Sequence, residues 1–184
     1  RNDIWAENLK FPMAVIDEVL KAKKDYASDD FIVGYRLSPE EAESPGITMD
    51  ITEELVNAIT KKDIDYIHVS IMDIYSKTRD GQYEGQNRLE LIHKWINGRM
   101  PLIGIGSVFT ADDALNAVED VGVELVALGR EILLDYDFVG KIKEGRESEI
   151  ISYFDPERED NHELPPKLWQ QFNNGFYPLP RKDQ

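Results

Sequence analysis

The segments "LIGIGSVFT" (102–110) and "LVALGREIL" (125–133) decide how this chain is read. Each is an apolar run that stops at a glycine, Gly106 or Gly129, followed at once by a polar residue and then by helical spacing. Short continuous apolar runs bounded by turn residues are the mark of strands buried on both faces, as in parallel sheets covered by crossover helices. Glycine lets backbone approach a ligand closely, and amides at a helix start attract anions. Arg130 can grip a phosphate through two parallel N–H donors. Two adjacent strands ending this way, in Gly106–Ser107 and Gly129–Arg130, predict one shared phosphate site.

Outward from these segments the same strand-then-helix unit recurs. "FIVGYRLSP" (31–39) reads as a strand, followed by a helix in "TMDITEELVNAITKKD" with Thr48 or Asp50 as N-cap. "IDYIHVS" (64–70) is a second strand, and "NRLELIHKWING" (87–98) its helix, closed by Gly98. "TADDALNAVEDVG" (110–122) is the helix after the third strand, with Thr110 as N-cap and two aspartates in its first turn. Before the first strand, residues 4–24 have helical spacing, with Phe11, Val15, Val19 and Ala22 on one apolar face. Strand starts near 31, 64, 102 and 124 are too unevenly spaced for a solenoid repeat. The expected fold is α/β, with four parallel strands covered by helices.

Composition narrows the partners. The chain has 184 residues and a net charge of −15, with 36 acidic against 21 basic residues, which disfavours nucleic acid and anionic membrane surfaces. No apolar run approaches the roughly 18 residues of a membrane span. There is no cysteine, which excludes disulfides and thiolate metal sites and fits a reducing cytoplasm. The length falls short of the about 250 residues typical of an eight-fold barrel, and the first residue is Arg1 instead of Met, so a fragment is expected.

In parallel α/β folds ligands sit at the carboxyl ends of the strands. Those ends carry Arg36 and Ser38, Ser70, Gly106 and Ser107, and Gly129 and Arg130. Arg36 either faces a ligand or pairs with Glu40 or Glu41; its place at the end of an apolar strand favours the ligand. Asp73, Tyr75, Lys77 and Arg79 could line a substrate mouth or simply be solvated. His68 on a strand, His93 on a helix and His162 in a polar tail have no metal spacing. No Ser/His/Asp arrangement, Walker loop or GxGxxG is present, and no metal site is expected.

Taken in order, "ENLKFPMAVIDEV", "VGYRLSPEE", "IDYIHVS", "PLIGIGSVFTADDA" and "VALGREIL" resemble the flavin oxidoreductases of the old yellow enzyme type, in the carboxyl-terminal half of their barrel. The resemblance implies the carboxyl-terminal half of a TIM (β/α)8 barrel, with strands five to eight and their helices over 1–151 and a carboxyl-terminal extension over 152–184. It implies FMN as cofactor and NADH or NADPH as reductant, with hydride passing to activated alkenes or quinone-like acceptors. Arg36 corresponds to the arginine at the pyrimidine side of the flavin, and Gly106, Ser107, Gly129 and Arg130 to the FMN-phosphate loops. Ser107 stands where the family often has glycine or asparagine, and Asp135–Tyr136–Asp137 replaces aspartate–proline–aspartate. The catalytic groups that hold the acceptor and donate the proton belong to the absent half, so the fragment is expected to be inactive alone. A half-barrel exposes two sheet edges, so homo-oligomerisation is expected. The apolar residues Leu168, Trp169, Phe172, Phe176 and Tyr177 are expected to pack on the barrel or a neighbouring subunit. The alternatives are another phosphate-binding barrel, such as an aldolase or synthase, and a non-catalytic assembly module. No strand ends in the lysine a Schiff-base aldolase would need.

Overall fold

Four short strands, β1 (Gly34–Leu37), β2 (Tyr66–Val69), β3 (Leu102–Ile105) and β4 (Leu125–Ala127), pair in parallel and lie side by side in chain order. A doubly wound sheet reverses its strand order at a switch point, whereas a barrel adds strands in one direction only. The unbroken order is that of a barrel arc. The computed structural model describes residues 9–79, 81–158 and 160–182.

The helices α1 (Lys10–Tyr26), α2 (Met49–Ile59), α3 (Arg88–Ile96) and α4 (Ala111–Glu119) cover one face of this sheet, and α5 (Arg130–Leu134), α6 (Phe138–Lys143) and α7 (Pro166–Asn173) follow β4. The two faces of the strands differ. Leu37, Ile67, Val69 and Leu102 point into the helix layer and pack with Val56, Ile59, Leu89, Ile92 and Ile96, all buried. Each such side chain contributes about 1.5–3 kcal/mol by leaving water. On the opposite face Arg36, His68, Ile103 and Leu125 stand in one register row across the sheet. Leu125 is 51% exposed there, and β1 and β4 each have a partner on one side only among the described residues.

Local chemistry sets the helix ends. The Thr48 hydroxyl caps α2, Asn87 accepts from the amides of Leu89 and Glu90, and Thr110 forms a reciprocal capping box with Asp113. Helix α3 closes one residue earlier than its glycine suggests. Asn97 adopts the left-handed conformation (φ 51°) as C-cap, and Gly98 continues the turn at φ 69°.

Two sequence expectations shift here, and part of one lies outside the described residues. The first strand is narrower than 31–39, because Phe31 and Ile32 are exposed and lie outside the ladder. The part of the first helix expected over 4–8 lies outside the described residues. Its buried face is also not the expected one: Ile16 is buried, with Met13 and Leu20 packed beside it, whereas Phe11, Val15, Val19 and Ala22 are exposed. Both stripes satisfy helical spacing, so period alone does not choose between them.

Beyond residue 150 the chain packs back on itself. Phe154, Phe172 and Leu179 bury themselves around Leu134 of α5, with Leu168 and Trp169 alongside; Phe176 stays 71% exposed. His162, read as part of a polar tail, is buried and stacks on Phe154 with ring centroids 5.0 Å apart. Its Nε2 accepts from the Asp155 amide at 2.9 Å while Nδ1 lies 3.2 Å from Leu134 O, a pattern met by the tautomer with its proton on Nδ1. Backbone partners for both ring nitrogens are what make burial of this polar ring tolerable.

Candidate functional site

The five residues singled out at the strand ends, Arg36, Gly106, Ser107, Gly129 and Arg130, line one cleft of about 140 Å³ at the carboxyl side of the sheet. Ser70, Met72, Phe109 and Tyr177 complete its walls. The sheet brings these together because parallel strands in chain order place successive carboxyl ends side by side.

Each residue is held by identifiable contacts. Arg36 donates from Nη2 to Ser70 Oγ at 2.6 Å. Glu40, the acid that could have claimed Arg36, instead accepts from Arg88 and from the Arg79 amide, and Glu41 accepts from the Ile47 amide. Gly106 has φ +132°, and a Cβ there would lie 2.6 Å from Asp73 N and 2.7 Å from the Met72 carbonyl carbon. The loop after β2 therefore rests directly on this glycine. Ser107, itself at φ 50°, donates its hydroxyl to Met72 O at 2.9 Å.

Arg130 is fixed from several sides. Nη2 donates to Met72 O at 2.9 Å and to Ser107 Oγ at 3.0 Å, Nη1 donates to Pro178 O at 3.3 Å, and the guanidinium lies 5.0 Å over the Phe109 ring. Those bonds engage three of the five N–H donors a guanidinium carries, so capacity for an anion remains. Gly129 differs from Gly106: a Cβ there would meet only Ile105 Cδ1, at an ordinary 3.7 Å. Packing within the chain does not demand glycine at 129, and the room it leaves lies toward the cleft wall that Ile105 shares. The amides of Gly129 and Arg130, at the start of α5, have no intrahelical acceptor.

A Gly106→Ala substitution is expected to destabilise the protein by more than about 1 kcal/mol, because the methyl group forces Met72–Asp73 away while the backbone resists φ +132°. Urea unfolding measures this, and a midpoint unchanged from the parent protein would contradict it.

Other polar residues fall elsewhere. Tyr75 and Lys77 line a separate groove with Glu90 and Lys94 on the helix side, and Asp73 turns back to accept from the Tyr75 amide. His68 lies on the uncovered sheet face beside Arg36, with Nε2 buried and unpaired; burial first, and the Arg36 charge second, hold its pKa below the usual histidine value. His93 sits 3.3 Å from Glu124. Among the described residues no group of three or more histidine and carboxylate side chains is placed to hold a metal ion, and no helix is long and apolar enough to cross a membrane.

The sequence reading expected Tyr177 to pack on the barrel or a neighbouring subunit, but it assigned neither Tyr177 nor Glu131 to the cleft. Tyr177 reaches the site from a distant part of the chain, and nothing in its local sequence signals that. Glu131 follows Arg130, is 1% exposed, and has no hydrogen-bond partner on either carboxyl oxygen. Burial, and secondarily the nearby Asp135, push its pKa up to about 9, only partly opposed by Lys141. Glu131 lies three residues before the buried Leu134, so helical spacing was the available signal.

Known proteins resemble this chain in sequence and in fold. The sequence model of the NADH:flavin oxidoreductase / NADH oxidase family matches residues 6–149. A probable NADH-dependent flavin oxidoreductase of Bacillus subtilis (strain 168), YqiG, is 44% identical over 187 residues, covering 100% of this chain and 50% of that protein. An NADH:fumarate oxidoreductase of Klebsiella pneumoniae (strain 342) is 32% identical over 180 residues, covering 92% of this chain and 19% of that protein. The chain thus spans half, or less, of the length of these relatives. Among solved structures, histamine dehydrogenase from Rhizobium sp. 4-9 superposes with TM-score 0.59 at 19% identity over 82% of this chain and 22% of its own. Morphinone reductase in complex with tetrahydroNAD gives 0.53 at 21% identity over 79% of this chain and 38% of its own. These likenesses show the fold, and the singly wound sheet is the carboxyl-terminal half of a TIM barrel. Its strand-end motifs, their convergence on one cleft and the match over residues 6–149 place the chain in the NADH:flavin oxidoreductase / NADH oxidase family, the old yellow enzyme type.

Proposed function

We propose that this chain supplies the phosphate-holding part of an FMN site in an enzyme that oxidises NADH and reduces an activated alkene or quinone-like acceptor. The observation that carries this is the convergence of Arg130, Ser107, Gly129 and Arg36 on one cleft. Whole small-molecule sites occupy about 300–1,000 Å³. A cleft of about 140 Å³ is therefore sized for one end of a ligand. The residues fit a phosphomonoester: a guanidinium with unspent donors, two amides without helical acceptors, and an open position beside Gly129. Arg36, at the far side of the cleft, suits the electron-rich carbonyl edge of a flavin ring. When bound, the flavin supplies the two-electron chemistry that no protein side chain can.

Arg130 binds and orients the phosphate, Ser107 fixes the plane of Arg130, and Gly106 seats the Met72 carbonyl that both of them use. The two relatives share NADH in their names, and one of them is named for fumarate, an alkene activated by carboxylates. The shared term favours NADH as reductant here. Groups that hold the acceptor are not among the cleft residues Arg36, Ser107, Gly129 and Arg130.

Titration of FMN and riboflavin into the full-length polypeptide, followed by flavin fluorescence, tests the assignment. FMN is expected to bind at least about tenfold more tightly than riboflavin, the difference being the phosphate contacts, and inorganic phosphate should compete with FMN alone. Equal affinity for the two flavins would refute a phosphate site at β3 and β4.

A further inference from the structure

The segment after α7 lies outside the 6–149 stretch matched by the family model, yet it reaches into the cleft. Gly175 turns the chain at φ +75° after α7, and Tyr177 becomes a wall of the cleft that Arg36 and Ser70 also line. The Leu179 amide donates to Tyr177 O across Pro178, a three-residue turn, and Pro178 O accepts from Arg130 Nη1.

Both ends of this short segment are anchored. Before it, Phe172 is buried, and its ring stands edge-on to Tyr177 at 6.5 Å. After it, Leu179 is buried beside Leu134 and Phe154, Pro180 O accepts from the Phe154 amide at 2.7 Å, and Arg181 donates to Phe172 O at 3.1 Å while covering the Phe154 ring. Residues 176–178 thus bridge two fixed points, and along the bridge the Pro178 carbonyl meets Arg130 Nη1. Tyr177 is 42% exposed, so a ligand seated against its ring would shed water there, which strengthens the charge-assisted bonds the guanidinium makes, and the carbonyl brace lowers the cost of orienting that side chain on binding.

We infer that residues 176–179 form a strap closing the phosphate end of the flavin site, with Tyr177 as a ligand-contacting wall and Pro178 as the positioning residue that keeps Arg130 aimed. This rests on the proposed FMN assignment and adds a determinant outside the region matched by the family model. The ligand chemistry it selects is a phosphomonoester; a flavin without phosphate gains nothing from it.

The test uses the full-length polypeptide carrying Tyr177→Ala or Tyr177→Phe, with FMN and riboflavin affinities and melting temperature measured on each. Tyr177→Ala is expected to weaken FMN about tenfold and speed its release, leaving riboflavin within about twofold, while Tyr177→Phe, which keeps the ring, stays near the parent protein. Unchanged FMN affinity in Tyr177→Ala, beside a parent protein that still prefers FMN to riboflavin, overturns the strap alone. Equal losses for both flavins overturn its selectivity for phosphate. A parent protein without preference for FMN overturns the phosphate assignment itself. Chymotryptic cleavage after Phe176 of the parent protein gives a readout independent of any variant's folding. FMN and inorganic phosphate should slow it and riboflavin should not; equal protection by riboflavin overturns the strap.

Discussion

An Arg130→Ala variant of the full-length polypeptide is expected to bind FMN about 100-fold more weakly than its parent, with riboflavin affinity changed by less than about threefold. A hydrogen bond to a charged group contributes about 1.5–3 kcal/mol, and loss of about 2.7 kcal/mol corresponds to 100-fold in affinity. The effect is large because the guanidinium is already held in place: Met72 O, Ser107 Oγ, Pro178 O and the Phe109 ring fix it before any ligand arrives. Arg130→Lys should recover only a minor part, since an ammonium restores charge without the planar fork that reaches Met72, Ser107 and an anion together. Fluorescence titration with both flavins checks this. A similar loss for FMN and riboflavin would mean that Arg130 serves only to hold the loops of β2 and β3, and no loss would remove it from the site.

The second large effect concerns Glu131 and pH. Its carboxyl holds a proton in the folded protein up to about pH 9, against an ordinary value of 4.5. Between those values the folded state binds more protons than the unfolded state, so stability falls as pH rises. The slope from this one group reaches about 1.4 kcal/mol per pH unit. Glu131→Gln, similar in shape and always neutral, is expected to lose less stability than the parent between pH 5 and pH 9. His68 works in the opposite direction, because its lowered pKa costs stability as pH falls, but it is common to both proteins and cancels in the comparison. Urea midpoints at pH 5, 7 and 9 give the measurement; parallel curves for parent and variant would show that Glu131 is ionised, or reaches water, in the folded protein. Ionisation would place a charge among Asp135 and Asp113, one residue from Arg130, so flavin affinity should weaken over the same rise in pH.

The amino-acid sequence by itself determined the parallel strands and the strand-end residues that line the cleft, while their side-by-side order was implied by the family resemblance. The strand and strand-end information is local. A strand covered by helices must be apolar along its length, a strand end beside a ligand must be small or charged, and both leave their mark within a few residues, as at Gly106–Ser107 and Gly129–Arg130. Helix starts were equally legible, because a cap such as Thr110 satisfies amides only two or three positions away. Only the tertiary structure decided the rest. Helix α1 carries two apolar stripes of helical spacing, and which one is buried depends on where the sheet stands, so Ile16 wins over Val15 and Val19. His162 looks like a surface residue until the carbonyl of Leu134 and the amide of Asp155 are brought to its ring. Glu131 reads as an ordinary first-turn acid until the chain closes over it. Tyr177 and Pro178 meet Arg130 across 47 and 48 residues of chain, and such a contact is set by the packing of Phe172, Leu179 and Phe154 against Leu134, which no local pattern encodes.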